Sequence, residues 1–324
     1  MKTKLSDNIN PPLVSICVPA YNCGKYIGET LSCLCSQTYT NIEIIVVNDG
    51  ATDETLKNAS SNSDHRISII NVVNGGASKA RNIAYQHAAG RYIVFFDADD
   101  YIESGFIDQQ LQKINNSDDE IVLAAWGRFY NNNRSSFRAE PMPFSEMTFD
   151  EWINHYWYNG NPMTTPGRAM IPKKVIEAAG LWNEELTLND DLEFFTRIFS
   201  KSTNIIFNHN AIFYYRSGVE GLSSAKSTAA YLSLYKSVIL ATDLALKHFD
   251  NNNAIKKSCA NLLQSMVYEV YPYSRELSRL AEEKINELGG STIAFVAGGY
   301  TKLMVSLIGW KLTKIIKTSL SGNK

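Results

Sequence analysis

The sequence predicts an α/β protein in which βα units wind a largely parallel sheet over the first hundred residues, followed by an irregular aromatic-rich stretch and a helical C-terminal part. Three observations carry this reading. Apolar, β-branched runs alternate with amphipathic segments between residues 14 and 96. The runs end in polar clusters of turn-forming residues. Over residues 229–249 and 255–288 the periodicity becomes helical, without an internal repeat or a low-complexity segment.

Taken in order, residues 14–18 form a strand that stops at Pro19, with a turn over 20–24 and a helix over 26–36. Residues 42–47 make a strand covered on both faces, since five of its six residues are β-branched, and it ends at Asn48-Asp49-Gly50. A turn at 51–54 leads to a helix over 54–61, and 67–70 is a third strand. Asn74-Gly75-Gly76 reads as a flexible turn before a helix over 78–88 that Gly90 closes as a C-cap. Residues 92–96 are a fourth buried strand running into Asp97-Ala98-Asp99-Asp100. In an open parallel sheet the polar clusters after the strands line one crevice, where ligands bind. Residues 109–227 are less regular, with aromatic residues at Trp152, Tyr156, Trp157 and Tyr158 and a Pro/Gly stretch over 161–167.

Composition narrows the function classes. The chain has 324 residues, 44% hydrophobic and 20% charged, which excludes a disordered, fibrous or multi-span membrane protein. Thirty-one basic and 33 acidic residues leave a net charge of −2, too little to hold nucleic acid. The five cysteines, Cys17, Cys23, Cys33, Cys35 and Cys259, are odd in number and poorly spaced for zinc, which points to a reducing compartment. Met1 to Asn10 is polar and lacks the apolar stretch of a secretory signal, so the expected location is the cytoplasm. Residues 288–301 are uncharged, but too short for a span of about 20 residues.

Asp97 and Asp99 lie at the mouth of the sheet, where oxygen ligands hold a hard divalent cation with positions left open for substrate phosphates. The plainer alternative, that these acids cap a turn, loses weight because sister strands end in similar clusters. Asp49 is either a turn former or a carboxylate that accepts the N–H of a pyrimidine ring. Arg81, one turn into the helix after Gly75-Gly76, either reaches a pyrophosphate or is a solvated helix charge.

Residues 14–22 (VSICVPAYN), 46–53 (VVNDGATD), 76–82 (GASKARN) and 92–100 (YIVFFDADD) resemble, in order, the signature blocks of glycosyltransferase family 2, inverting enzymes of the GT-A fold. The resemblance continues more weakly through 178–185 and 188–197 and fades after about 224. It implies an α/β GT-A sheet with helices on both faces and a helical C-terminal extension. Residues 1–110 would bind the nucleotide sugar, 111–227 would be the acceptor half of the same domain, and 228–324 the extension.

By that resemblance Pro19, Tyr21 and Asp49 contact the nucleotide, Arg81 lies near the diphosphate, and Asp99 holds Mn²⁺ or Mg²⁺ with Asp97 and Asp100 close by. The family carries Glu-Asp where this chain has Asp190-Asp191, and the second carboxylate is its base, so Asp191 is assigned as catalytic base with Asp190 as the other candidate. The expected donor is a UDP-sugar; Asp49 suits a base with an N3–H, which favours uridine or thymidine donors over guanosine ones. The expected acceptor is a saccharide or lipid-linked saccharide.

Residues 214–224 resemble the Tyr-Arg…Ser stretch that follows the base in this family, and read either as a lid over the donor or as a surface loop. His209 reads either as a surface or structural residue or as an extra metal ligand. Other chemistries fit less well. An aspartate-dependent phosphatase requires its motif on the first strand, with Thr or Val where this chain has Tyr101. A nicotinamide dehydrogenase lacks Gly-x-Gly-x-x-Gly here. A non-catalytic sugar-nucleotide-binding protein conflicts with an acid at every signature carboxylate position.

Residues 291–324 contain Lys302, Lys311, Lys314, Lys317 and Lys324 and no acidic residue. On one continuous helix the first four of these fall on one half, with Met304, Val305, Ile308, Leu312, Ile315 and Ile316 opposite, while Leu303, Leu307 and Trp310 intrude on the lysine side. The pattern predicts either peripheral contact at the inner face of the plasma membrane or a helix packed on the catalytic domain.

Overall fold

In the structure, a computed structural model that describes residues 11–162, 164–218, 227–250 and 252–321, the βα rhythm of the first hundred residues is β1 (Val14–Ala20), α1 (Ile27–Cys35), β2 (Ile42–Asp49), α2 (Thr55–Ser60), β3 (Ile67–Val72), α3 (Ala77–Gln86) and β4 (Tyr92–Phe95). These four strands lie in the order β3-β2-β1-β4, all parallel. In β2 the residues Ile44 to Val47 are buried, as a strand covered on both faces requires. Helix α1 buries Ile27, Leu31 and Leu34, a single stripe at helical spacing. Helix α3 packs on β1 and β2 through the small residues Ala80 and Ala84.

The stretch that looks irregular in sequence extends the same sheet. It contains β5 (Tyr101–Ile102), α4 (Phe106–Ile114), β6 (Ile121–Tyr130), β7 (Asn133–Ala139), α5 (Phe149–Tyr156), β8 (Ala169–Pro172), α6 (Lys173–Ala179), α7 (Asp190–Phe199) and β9 (Ile205–Ser217). Strand β8 joins β4 and β6 antiparallel, β6 runs parallel to β9, and β7 pairs with β6, giving nine strands in all among the described residues. The remaining helices are α8 (Thr228–His248), α9 (Asn253–Val270), α10 (Arg275–Glu287) and α11 (Gly299–Ser321).

The chain divides into two compact units. The first takes in the described residues of 1–148, 165–184 and 198–220, and holds every strand. The second takes in those of 149–164, 185–197 and 221–324, so the expected C-terminal extension forms one body with two earlier segments. Its centre is α9, whose Cys259, Leu263 and Val267 are fully buried between α8, α10 and α5. By length and composition α8 could cross a membrane, yet 56% of its apolar window is buried inside the protein.

Four expectations are corrected. Strand β1 continues through Pro19, paired with Val47, because β4 accompanies β1 only as far as Cys17 and no ladder is broken on that side. Gly90 is not a helix cap: α3 ends at Gln86, and a Cβ at Gly90 would stand 2.5 Å from the Ser15 hydroxyl and 2.6 Å from its amide, so close backbone approach requires the glycine. The helical stretch 255–288 is two helices, since Pro272 cannot continue α9 and Ser274 caps α10 through the Leu277 amide. The C-terminal helix is kinked at Gly309, where φ is 77° and ψ is 160°, so a single helical wheel does not describe it.

The five cysteines are free. Burial pushes the Cys23 thiol up to about 11 and those of Cys33 and Cys259 to about 12, so they behave as small apolar residues.

Candidate functional site

The site starts from register. Ala20 at the end of β1 lies beside Asn48 of β2, and Cys17 lies beside Phe95 of β4, so the segments leaving β1, β2 and β4 emerge side by side at the carboxyl edge. This edge brings together Pro19, the half-exposed Tyr21, Asp49 and the 97–100 loop. Asn22 adopts a left-handed φ of 47° there and accepts a hydrogen bond from the Thr52 amide at 2.9 Å. Asp53 binds across the same two loops, accepting from the amides of Gly24 and Thr55. Burial raises its carboxyl, but the hydrogen bonds from Thr55 and Gly24 outweigh that and hold it below its ordinary range.

Asp49 is buried, and its carboxylate accepts the Gly75 amide at 2.8 Å on one oxygen and the Gly76 amide at 2.9 Å on the other. The turn that looks flexible in sequence is therefore clamped, and Gly76, at φ 91°, opens α3 from it. Each carboxylate oxygen keeps a second lone pair, so Asp49 retains capacity for another donor.

Helix α3 then delivers Arg81, which is largely buried. Its Nη2 donates to Asp97 Oδ1 at 2.8 Å, and its guanidinium lies 4.4 Å over the Trp182 ring, which packs edge-on against Phe95 of β4. Asn82, next along, fixes the approach of 182–184: it accepts the Trp182 amide at 2.9 Å and donates to the Trp182 carbonyl and the Glu184 carboxylate. An arginine held planar between a ring and a carboxylate is suited to a diphosphate rather than to solvent.

The 97–100 loop is pinned by residues from two other elements. The Thr30 hydroxyl of α1 donates to the carbonyls of Ala98 and Asp100. Arg216 of β9, fully buried, donates through Nε to the Asp99 carbonyl, through Nη2 to Glu29 at 2.7 Å and through Nη1 to Asn132, while its own backbone amide donates to Asp100 Oδ1 at 2.8 Å. Burial, then the charge of Asp97, pushes the Asp99 carboxyl up to about 6, with Arg216 opposing. Burial and the charges of Asp99 and Asp97 push Asp100 well above its ordinary value, and Asp100 Oδ2 is buried without a hydrogen-bond partner. Adjacent desolvated carboxylates of this kind are relieved by a cation. Among the described residues no three His, Cys, Asp or Glu side chains converge into a metal cage. The donor set thus fits a hard cation held by one or two carboxylates and completed by substrate oxygens and water.

Arg216, Glu29, Thr30 and Asn82 are absent from the sequence-derived site. One signal was available: an arginine following the apolar run 211–215 has to find anionic partners if the strand is buried. Tyr214 to Ser217 are the end of β9 rather than a lid, and 219–224 lie outside the described residues. His209 is remote from this chemistry, stacked on Phe144 with its Nε2 2.9 Å from the Pro143 carbonyl oxygen. Trp152 and Trp157 are core residues of the second unit, while Tyr158 is exposed.

Asp190 and Asp191 belong to the second unit, in the first turn of α7. The loop before them is held by α8. Ser233 accepts the amides of Thr187 and Leu188 and donates to the Leu188 carbonyl, and Ser237 donates to the Asn189 carbonyl at 2.5 Å. Asn189 has a φ of 60°, and both aspartates are half-buried at the positive end of the helix dipole.

Comparison with known proteins agrees with this geometry. The family model for glycosyl transferase family 2 matches residues 15–180. The chain is 30% identical over 217 residues to glycosyltransferase GlyG of Streptococcus pneumoniae, covering 63% of this chain and 70% of that protein. It is 39% identical over 104 residues to a chondroitin synthase of Pasteurella multocida, spanning 11% of that longer protein. Among solved structures, S. aureus TarS 1–349 in complex with UDP-GlcNAc superposes with a TM-score of 0.70 at 20% identity, over 86% of this chain and 81% of that one. Strand-end acids, a pinned acidic loop, the family match and the shared GT-A fold converge: the chain belongs to glycosyl transferase family 2 and is a glycosyltransferase.

Proposed function

We propose that this enzyme is an inverting transferase that moves a sugar from a UDP-sugar to a hydroxyl of a saccharide or lipid-linked saccharide. The observation that carries the reading is the Arg81–Asp97 pair beside Asp99 at the carboxyl end of β4, two strands from Asp49. The UDP-GlcNAc complex of TarS supports a uridine donor. The free thiols, four of the five buried, support a cytoplasmic setting, where such donors are made.

In this reading Pro19 and Tyr21 border the nucleotide and Asp49 accepts from the base. Asp97 and Asp99 would hold Mn²⁺ or Mg²⁺, which when bound neutralises charge on the diphosphate. Arg81, paired with Asp97, stabilises the leaving group. Asp191, with Asp190 as the alternative, takes the proton from the acceptor hydroxyl as it attacks the anomeric carbon. The new glycosidic bond forms as the bond to the diphosphate breaks, so the anomeric centre inverts and no protein nucleophile is needed.

The test is release of UDP from a panel of nucleotide sugars, beginning with UDP-GlcNAc, with Mn²⁺ or Mg²⁺ and again in strong chelator. Turnover of a uridine donor that stops in chelator is expected. Undiminished turnover in chelator removes the metal, and turnover confined to guanosine donors removes the role given to Asp49.

A further inference from the structure

We propose that the outer face of α11 is a docking surface for an anionic lipid bilayer. The kink at Gly309 divides this helix, and each half presents its own apolar stripe. Before the kink Tyr300, Leu303 and Leu307 stand outward at helical spacing; after it Leu312, Ile316 and Leu320 do the same. Tyr300 is 89% exposed, Leu307 74% and Leu320 71%, which is unusual for large apolar side chains repeated along one element.

Packing within the second unit accounts for the opposite side only. Trp310 stacks on Phe295 at 5.7 Å and meets Tyr268 edge-on at 4.9 Å, and Thr313 is fully buried. Lys311 pairs with Glu282 at 2.7 Å, and Lys314 donates to the carbonyls of Tyr268 and Glu269. Two of the lysines expected on the exposed face therefore point back into the protein, and Leu303 and Leu307, which disrupt the helical wheel, are outward.

Charge selects the occupant. Residues 291–321 contain no Asp or Glu, and Lys302 and Lys317 are exposed beside the stripes. A second copy of the chain meeting this face symmetrically would set lysine against lysine. An anionic headgroup layer accepts the lysines while the leucines enter the acyl boundary. Such a surface deepens the proposed function by bringing the enzyme to where a lipid-linked acceptor resides, although its test requires no transfer.

The experiment is co-sedimentation of the full chain with vesicles of mixed phosphatidylglycerol and phosphatidylcholine, against phosphatidylcholine alone, with the oligomeric state measured by light scattering. The wild type is expected to bind the anionic vesicles preferentially and to weaken with salt. Leu303→Asp and Leu307→Asp, at exposed positions, are each expected to lower partitioning by about tenfold while thermal unfolding and UDP-sugar hydrolysis stay unchanged. Lys302→Glu with Lys317→Glu is expected to remove the preference for anionic vesicles. No binding by the wild type overturns the proposal, as does unchanged binding by the two leucine variants. A wild-type dimer made monomeric by those variants, with no vesicle binding, reassigns the face to self-association. Vesicle binding without donor hydrolysis upholds the docking surface and counts against the proposed transfer alone.

Discussion

Two aspartate-rich loops of this enzyme look alike in sequence and are built in opposite ways. The 97–100 loop is crowded and desolvated, held by a buried arginine and a buried threonine, and its acids are pushed toward the protonated form by burial and by one another. The segment entering α7 is held at 187–189 by two serine hydroxyls of α8, and the half-buried Asp190 and Asp191 stand in the first turn of that helix. The first environment makes carboxylates that gain from a cation, and the second sets its carboxylates at the positive end of a helix dipole. The same residue type thus receives two tasks from its surroundings, as enzymes with paired carboxylates commonly arrange.

The largest effect that sharpens this contrast is expected from Asp191→Asn, which should lower kcat by about 10² to 10⁴ with donor KM nearly unchanged, because only proton transfer is lost. Steady-state kinetics on both neighbours decides the register: a mild Asp191→Asn beside a severe Asp190→Asn transfers the role to Asp190. Next, Asp99→Asn should reduce turnover by about 10² to 10³ and abolish the metal-dependent rise in melting temperature with UDP. A variant that still responds to Mn²⁺ breaks the division of tasks between the loops.

The restraints differ in cost as well. Arg216→Met removes the charge that opposes the buried Asp99 and Asp100 and frees the 97–100 loop, for about 3 to 5 kcal/mol in denaturant unfolding. If the variant folds, more metal should be needed for half-maximal activity at unchanged Asp191-dependent chemistry. Ser237→Ala removes one hydrogen bond from the Asn189 carbonyl and should cost about 1 kcal/mol, with a small loss in kcat.

The smallest effect is a pH dependence in the absence of metal. Asp99 has its carboxyl raised from 3.8 to about 6, so the folded chain holds this proton more tightly than the unfolded one. Its contribution to stability is full below the unfolded value and is lost as pH rises through about 6. Asp99→Asn should therefore melt at a higher temperature than the wild type at pH 7.5, with the gap closing toward pH 4. Parallel melting curves across that range contradict the crowding ascribed to the loop.

The elements β1 to β4 were legible because strand and helix periods are local: five β-branched residues in six, or leucines one turn apart, bury the same faces wherever the chain runs. The strand-end acids Asp49, Asp97 and Asp99 were legible for the same reason, since turn residues after a buried strand fall at a sheet edge by geometry alone. The partners that make a site of them were not. Arg216 reaches the Asp99 carbonyl across 117 residues, and Asn82 fixes Trp182 across 100, distances that only the path of the sheet closes. Nor did the helical wheel foresee α11, because a glycine at φ 77° resets the phase and packing on α9 and α10 chooses which side turns inward. The sequence by itself determined the order of strands and helices over the first hundred residues and the acids at the strand ends, through short-range periodicity. The tertiary structure decided which acids are crowded, which are solvated and which lysines are hidden, because desolvation and charge depend on neighbours that the chain meets only after folding.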